Sequence, residues 1–180
     1  MLGLSNDDVP RGCRPHALSQ RPQDRSMSER FFPRDDYFMQ LALREAQHAL
    51  EHADVPIGAV VVREGEVVAV AHNERELRQD PTAHAELIAL RAAARAAGSW
   101  RVLDSTMYVT LEPCAMCAGA IVLARVPRVV YGASDPKAGA CGSVLDVLSE
   151  PRLNHRPQVV GGVLAGECGE LLSGFFASRR

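Results

Sequence analysis

Two cysteines three residues apart follow a proline in Glu112-Pro113-Cys114-Ala115-Met116-Cys117, and well upstream His84-Ala85-Glu86 sets an imidazole two positions before a carboxylate. A Cys-x-x-Cys pair in the first turn of a helix presents both thiols on one face. Free N–H groups and the positive end of the helix dipole favour thiolate there, the form that binds metal or attacks a disulfide. Taken alone, the pair reads as a redox dithiol, as two core thiols or as half of a structural zinc site. The last would need two further ligands, usually from a second such pair, and Cys13, Cys141 and Cys168 form none. His84 alone reads as a surface or capping histidine; Glu86, two residues on in an alanine-rich stretch without an evident partner, weakens that reading. His84, Cys114 and Cys117 together are three protein ligands, which leaves the fourth tetrahedral position of a zinc ion open to water, as in catalytic sites. Water held there has its pKa lowered to about 7. Glu86, near the metal without binding it, could take the proton and pass it to a substrate.

These residues need elements to position them. Apolar residues Phe38, Leu41, Ala42, Ala46 and Ala49 recur at helical spacing and predict a helix over 35–52. VPIGAVVVREGEVVAVAH predicts two strands joined at Glu64-Gly65. After a loop over 73–80, Asp80 is a candidate cap, Pro81 suits a first helical position, and Gly98 ends the helix. STMYVTL reads as a third strand, CAMCAGAIVLA as a short helix, RVVYG as a fourth strand and GSVLDVLSE as a helix. QVVGGVLA then reads as a fifth strand and CGELLSGFFASRR as a closing helix. Strands alternating with helices predict an α/β layered domain around a mixed sheet, with both chemical motifs at turns into helices.

Composition sets the limits. With 180 residues and 47% hydrophobic content, the chain holds one ordinary domain. Residues 1–30, rich in Ser, Pro, Arg, Asp and Gln, read as a disordered extension ahead of a domain over 31–180. Met27, just before the first periodic segment, is a candidate start of the working protein. No apolar run is long enough for a membrane span, and the first thirty residues hold no apolar signal core, so a soluble cytoplasmic protein is expected. Five scattered cysteines fit a reducing compartment better than a disulfide framework. A net charge of −2 excludes a global positive field, so any nucleic acid must be held by local contacts.

His84-x-Glu86 followed by Pro113-Cys114-x-x-Cys117 is similar to the signature of the zinc deaminases. More narrowly, VPIGAVVV, HNERELRQDPTAHAE, TLEPCAMCAGA, ASDPKAGACGS and NHRPQVVGGVLAGECGELLSGFF resemble, in order, the bacterial tRNA-specific adenosine deaminases, over about residues 35 to 178. The resemblance implies a three-layer cytidine-deaminase-like domain with a mixed five-stranded sheet, a homodimer, and conversion of adenosine to inosine at the wobble position of a tRNA anticodon. It implies one Zn2+ per subunit on His84, Cys114 and Cys117, with Glu86 as proton shuttle. Asn73 would hydrogen-bond the flipped base, Ala85 and Ile57 would lie at its pocket, and Asp135 and Lys137 of the Ser134-to-Gly139 stretch would touch the neighbouring sugar and phosphate. Arg152, Arg156 and Arg179 are a candidate basic fringe, and of Phe175 and Phe176 one is expected to be buried and one to face RNA. The alternatives are a deaminase of a free nucleobase or nucleoside such as guanine, cytosine or cytidine, and a thiol redox protein using Cys114 and Cys117.

Overall fold

The computed structural model describes residues 34–179; the expectations for the first thirty residues and for Met27 lie outside them. Helix α1 (Asp35–His48) runs into a 3-10 turn over Ala49–His52, which ends at Ala53 with a positive φ. Strands β1 (Gly58–Arg63) and β2 (Glu66–His72) form the expected hairpin. Glu64 and Gly65 both have positive φ, 52° and 83°, the backbone that matches the twist of paired strands in a two-residue turn. The one-turn helix α2 (Arg75–Arg78), α3 (Ala85–Ala97), β3 (Ser105–Leu111), α4 (Ala115–Ala124), β4 (Arg128–Ala133), β5 (Gln158–Gly161) and α5 (Ala165–Ala177) complete the order.

The sheet runs β2-β1-β3-β4-β5. β1 is antiparallel to β2 and β3, while β3, β4 and β5 are parallel. This is the expected mixed five-stranded sheet. Alternation along the strands divides the core in two. Ala59, Val61, Met107, Val109 and Val129 face one side with Ala89, Leu90 and Ala93 of α3 and Ala118, Ile121 and Val122 of α4. Val60, Val62, Tyr108 and Val130 face the other with Phe38, Met39 and Ala42 of α1 and Cys168 of α5. Both faces of the sheet are therefore covered. At Gly58 the helix comes so close that a Cβ would stand 2.1 Å from the Ala42 carbonyl oxygen, so only glycine lets α1 lie there.

A buried ionic knot ties the α1 face together. Arg128 donates through Nη1 and Nη2 to the two Asp35 carboxylate oxygens at 2.9 and 2.7 Å, and Tyr108 Oη donates to Asp35 at 2.8 Å. Asp35 is fully buried, and a bidentate guanidinium is the partner that makes such burial tolerable. Burial, followed by the hydrogen bond to Asp35, pushes the Tyr108 phenol up.

Four sequence expectations need correction. Residues 142–150 are not a helix but a chain of turns. Gly142 takes φ 127°, Cys141 bridges Asp146, and the N–H groups of Val144, Leu145 and Val147 go to the Gly139 and Ala140 carbonyls, five to seven residues upstream, instead of closing helical turns, while those of Cys141 and Ser143 are taken by a side chain from β3's end. The helix expected from Pro81 begins at Ala85, because Asp80 Oδ1 accepts instead from the Thr82 N–H at 2.8 Å and the Thr82 hydroxyl at 2.7 Å, closing a local turn. The fifth strand stops at Gly161, and Gly162 turns away with φ 90°. The stretch over 73–80 contains one helical turn, α2.

Candidate active site

His84 is the residue capping the N-terminus of α3, and Cys114 holds the same position on α4. The two helices lie on the same sheet face, so both N-termini meet at one edge. His84 Nδ1 stands 3.8 Å from Cys114 Sγ and 3.6 Å from Cys117 Sγ. Among the described residues these three are the group whose ligand atoms all lie within 4.8 Å of one another. The Cys114 thiol, hydrogen-bonded first by Cys117 and then by His84, is drawn down to about 3, and Cys117, bonded to that thiolate and buried, is pushed up. His84 is raised mainly by its bond to Cys114. The set therefore holds a thiolate beside a retained thiol proton and a basic imidazole, and a divalent cation binds such a set by displacing those protons. One imidazole and two sulfurs at mutual tetrahedral distances suit zinc.

Glu86, in the first turn of α3, is 3% exposed and its Oε2 has no partner. Burial is the main cause that pushes its carboxyl above the usual range. A buried carboxylate oxygen without a donor is costly, and this one has an acceptor free for a group that enters beside it. It faces a cavity of about 520 Å³ lined by Ile57, Asn73, His84, Glu86, Cys114 and Phe176, among others. Asn73 is buried; its Oδ1 accepts from the Ala85 N–H at 3.0 Å, which fixes the amide's orientation toward the cavity. Ala85 itself is fully buried, its N–H spent on that bond.

Asp135 and Lys137 line the same cavity from the loop after β4. Asp135 Oδ1 accepts from the N–H groups of Lys137 at 2.9 Å and Ala138 at 3.2 Å, so part of its carboxylate shapes its own turn. Sequence reasoning missed the residue that holds this loop. Glu112, 2% exposed, accepts from the N–H groups of Asp135 at 3.0 Å, Cys141 at 2.9 Å and Ser143 at 3.1 Å, and from the Ser143 hydroxyl. Burial opposes its charge, but these hydrogen bonds, led by Ser143, outweigh it and hold the carboxyl below its ordinary range. Its place directly before Pro113 was the available signal. Phe175 is buried and Phe176 is half exposed at the cavity rim. Arg179 lies over the Phe175 ring at 4.1 Å and lines an adjoining hollow with Lys137 and Phe176. Arg152 is exposed and paired to Glu150.

The MafB19-like deaminase family model matches residues 33–180. A tRNA-specific adenosine deaminase from Bacillus subtilis strain 168 is 52% identical over 146 residues, 81% of this chain and 91% of that one. This chain belongs to the tRNA-specific adenosine deaminase family. A solved structure from work on A-to-I editing by tRNA A34 deaminases at the wobble position is 47% identical to it, covers 76% of this chain and 99% of its own, and superposes with a TM-score of 0.73. Guanine deaminase from Bacillus subtilis is more distant, at 32% identity and a TM-score of 0.54 over 80% of this chain and 92% of its own. No described helix of the deaminase is long and apolar enough to cross a membrane.

Proposed function

We propose that the chain hydrolyses adenosine to inosine at position 34 of a tRNA anticodon loop, with one Zn2+ on His84, Cys114 and Cys117. The observation that carries the reading is the convergence of that donor set with Glu86 and Asn73 in one cavity of a chain belonging to this family. Zinc bound there supplies the activation of the attacking water. The unpaired Glu86 Oε2 accepts the proton released by that water. The raised carboxyl delivers that proton to N1 of the adenine ring as C6 is attacked, then takes the proton of the hydroxyl now on C6 and passes it to the amino group, which leaves as ammonia while C6 becomes a carbonyl. Water and adenosine are thus balanced by inosine and ammonia.

Asn73, its oxygen bound to Ala85, turns its amide N–H groups to the base edge, while Ile57 packs against the ring. Asp135 and Lys137 serve the flanking sugar and phosphate, and Phe176 offers a ring to a splayed neighbouring base. A base in a loop costs less to extrude than one in a duplex. The partner is therefore an anticodon stem-loop, and the compartment is the cytoplasm. A second copy of the chain is expected on α4, which is apolar on all sides and leaves Met116 36% and Leu123 71% exposed.

The test uses zinc-loaded protein with an anticodon stem-loop bearing A34, and in parallel free adenosine, cytidine and guanine. Inosine is counted by mass spectrometry after nuclease digestion. The expected result is inosine in the stem-loop with the free compounds barely processed. Ready deamination of free guanine with an untouched stem-loop would replace this reading by a free-nucleobase deaminase.

A further inference from the structure

A second cluster of metal-binding side chains lies away from the cavity, where the 3-10 turn after α1 meets the end of β2. His52 Nε2 and His72 Nε2 face each other at 3.3 Å, with ring centroids 5.4 Å apart. Two imidazole nitrogens on one zinc ion, each about 2.0–2.1 Å from it in tetrahedral geometry, stand about 3.3–3.4 Å apart. The His52–His72 pair already has that spacing. On its far side, His72 Nδ1 is 2.8 Å from Glu45 Oε1. With the carboxylate accepting the Nδ1 proton, the Nε2 lone pair of His72 points at His52. A carboxylate behind a histidine in this way is the usual support of a metal-ligating imidazole.

A third donor lies farther off, since His52, His72 and Glu74 do not bring their ligand atoms within 4.8 Å of one another as His84, Cys114 and Cys117 do, and Glu74 must rotate to complete the set. Glu74 Oε1 stands 3.8 Å from His72 Nε2, while its Oε2 is bound by Arg78, so the first oxygen can turn to a cation without breaking that pair. Glu45, His72 and Glu74 are each less than a fifth exposed, so the group is sheltered yet within reach of solvent. Two imidazoles flanked by two carboxylates suit a dication, and nitrogen-rich donors select zinc-like ions over calcium or magnesium.

We infer that His52, His72 and Glu74, backed by Glu45, form an auxiliary site for a zinc-class divalent cation that staples the end of α1 to the end of β2. The site is structural. None of the four residues lines the reaction cavity, but His72 directly precedes Asn73, so the staple acts on the strand end that presents Asn73.

The experiment counts metal in the untagged full chain after equilibrium dialysis against micromolar free Zn2+, by elemental analysis, with thermal unfolding in parallel. The wild type is expected to hold two equivalents. Cys114→Ala and His52→Ala should each hold one, which separates the two sites. Glu45→Gln, which leaves every ligand in place, should weaken the second equivalent about 10- to 100-fold. The zinc-dependent rise in melting temperature beyond the first equivalent should vanish in His52→Ala. A wild type that holds one equivalent, or a second equivalent that persists unchanged in either His52→Ala or Glu45→Gln, would overturn the assignment and leave the pair as a hydrogen bond between two imidazoles.

Discussion

Replacing Glu112 by glutamine tests whether one buried carboxylate holds the cavity's outer loop. Its Oε1 accepts from the Cys141 and Ser143 N–H groups and its Oε2 from the Asp135 N–H and the Ser143 hydroxyl. Glutamine keeps one oxygen, and so the first two bonds, but turns an N–H2 toward the Asp135 N–H. The Ser143 hydroxyl can rotate to accept from it; the Asp135 N–H cannot. One hydrogen bond to a charged acceptor, about 1.5–3 kcal/mol, is lost outright, and the others lose their charge assistance. A total of about 2–4 kcal/mol follows, a fall of about 4–16 °C in melting temperature at this chain length. Asp135 and Lys137 move with the loop, so the specificity constant for an anticodon stem-loop should fall while zinc content stays unchanged. The pH dependence has a definite sign. Glu112 is held below its unfolded value, so its contribution is present above about pH 4.3 and is lost as pH falls through the folded value. The stability gap between wild type and Glu112→Gln should therefore close on acidification from about pH 5. An unchanged melting temperature at neutral pH, or a gap that widens in acid, would refute the account.

Cys114→Ala or Cys117→Ala should lose the zinc proposed for His84, Cys114 and Cys117, because a three-ligand site has no thiolate to spare; elemental analysis of the freshly purified variant, one equivalent below the wild type, checks this. Glu86→Gln should retain zinc and fold but lose about 10²–10⁴ in turnover, as expected of a general acid and base, and zinc loss in that variant would reassign the residue as a ligand. Asp35→Ala leaves the buried Arg128 guanidinium without its carboxylate and should cost about 3–5 kcal/mol, read by chemical denaturation; a change under 1 kcal/mol would mean that water reaches Arg128.

The parts of this fold that could be read from sequence are those set by neighbours along the chain. The Glu64-Gly65 turn, the period-two strands and the two motifs at helix starts each depend on residues within a few positions of one another. What was not legible depends on partners far off. Asp35 meets Tyr108 and Arg128 across 73 and 93 positions, and no local pattern marks an acid at a helix start as the anchor of a distant arginine. Glu112 looks like a spacer before Pro113, yet it supplies the acceptors for the N–H groups of Asp135, Cys141 and Ser143, 23 to 31 positions downstream.

Those bonds help explain the largest misreading. Val144, Leu145, Val147 and Leu148 carry helical spacing, and an isolated peptide of that composition would satisfy its N–H groups internally. The Glu112 carboxylate pins the N–H groups of Cys141 and Ser143 at the head of the segment, Gly142 breaks it with φ 127°, and the N–H groups of Val144, Leu145 and Val147 turn back to the Gly139 and Ala140 carbonyls, whereas a helical nucleus must fix several residues before its first bond forms. Gly139 sharpens the choice. Any Cβ there would stand 2.4 Å from the Glu112 carboxyl carbon, so the backbone of the loop lies directly against the acceptor. The loop is thereby shaped by the same turn that presents Cys114, since Cys114 bridges Gly139 and the Ala140 N–H donates to the Pro113 carbonyl at 2.8 Å. The donor set and the Asp135–Lys137 rim thus share one anchor, which is why disturbing Glu112 should be felt in substrate use before it is felt in metal content.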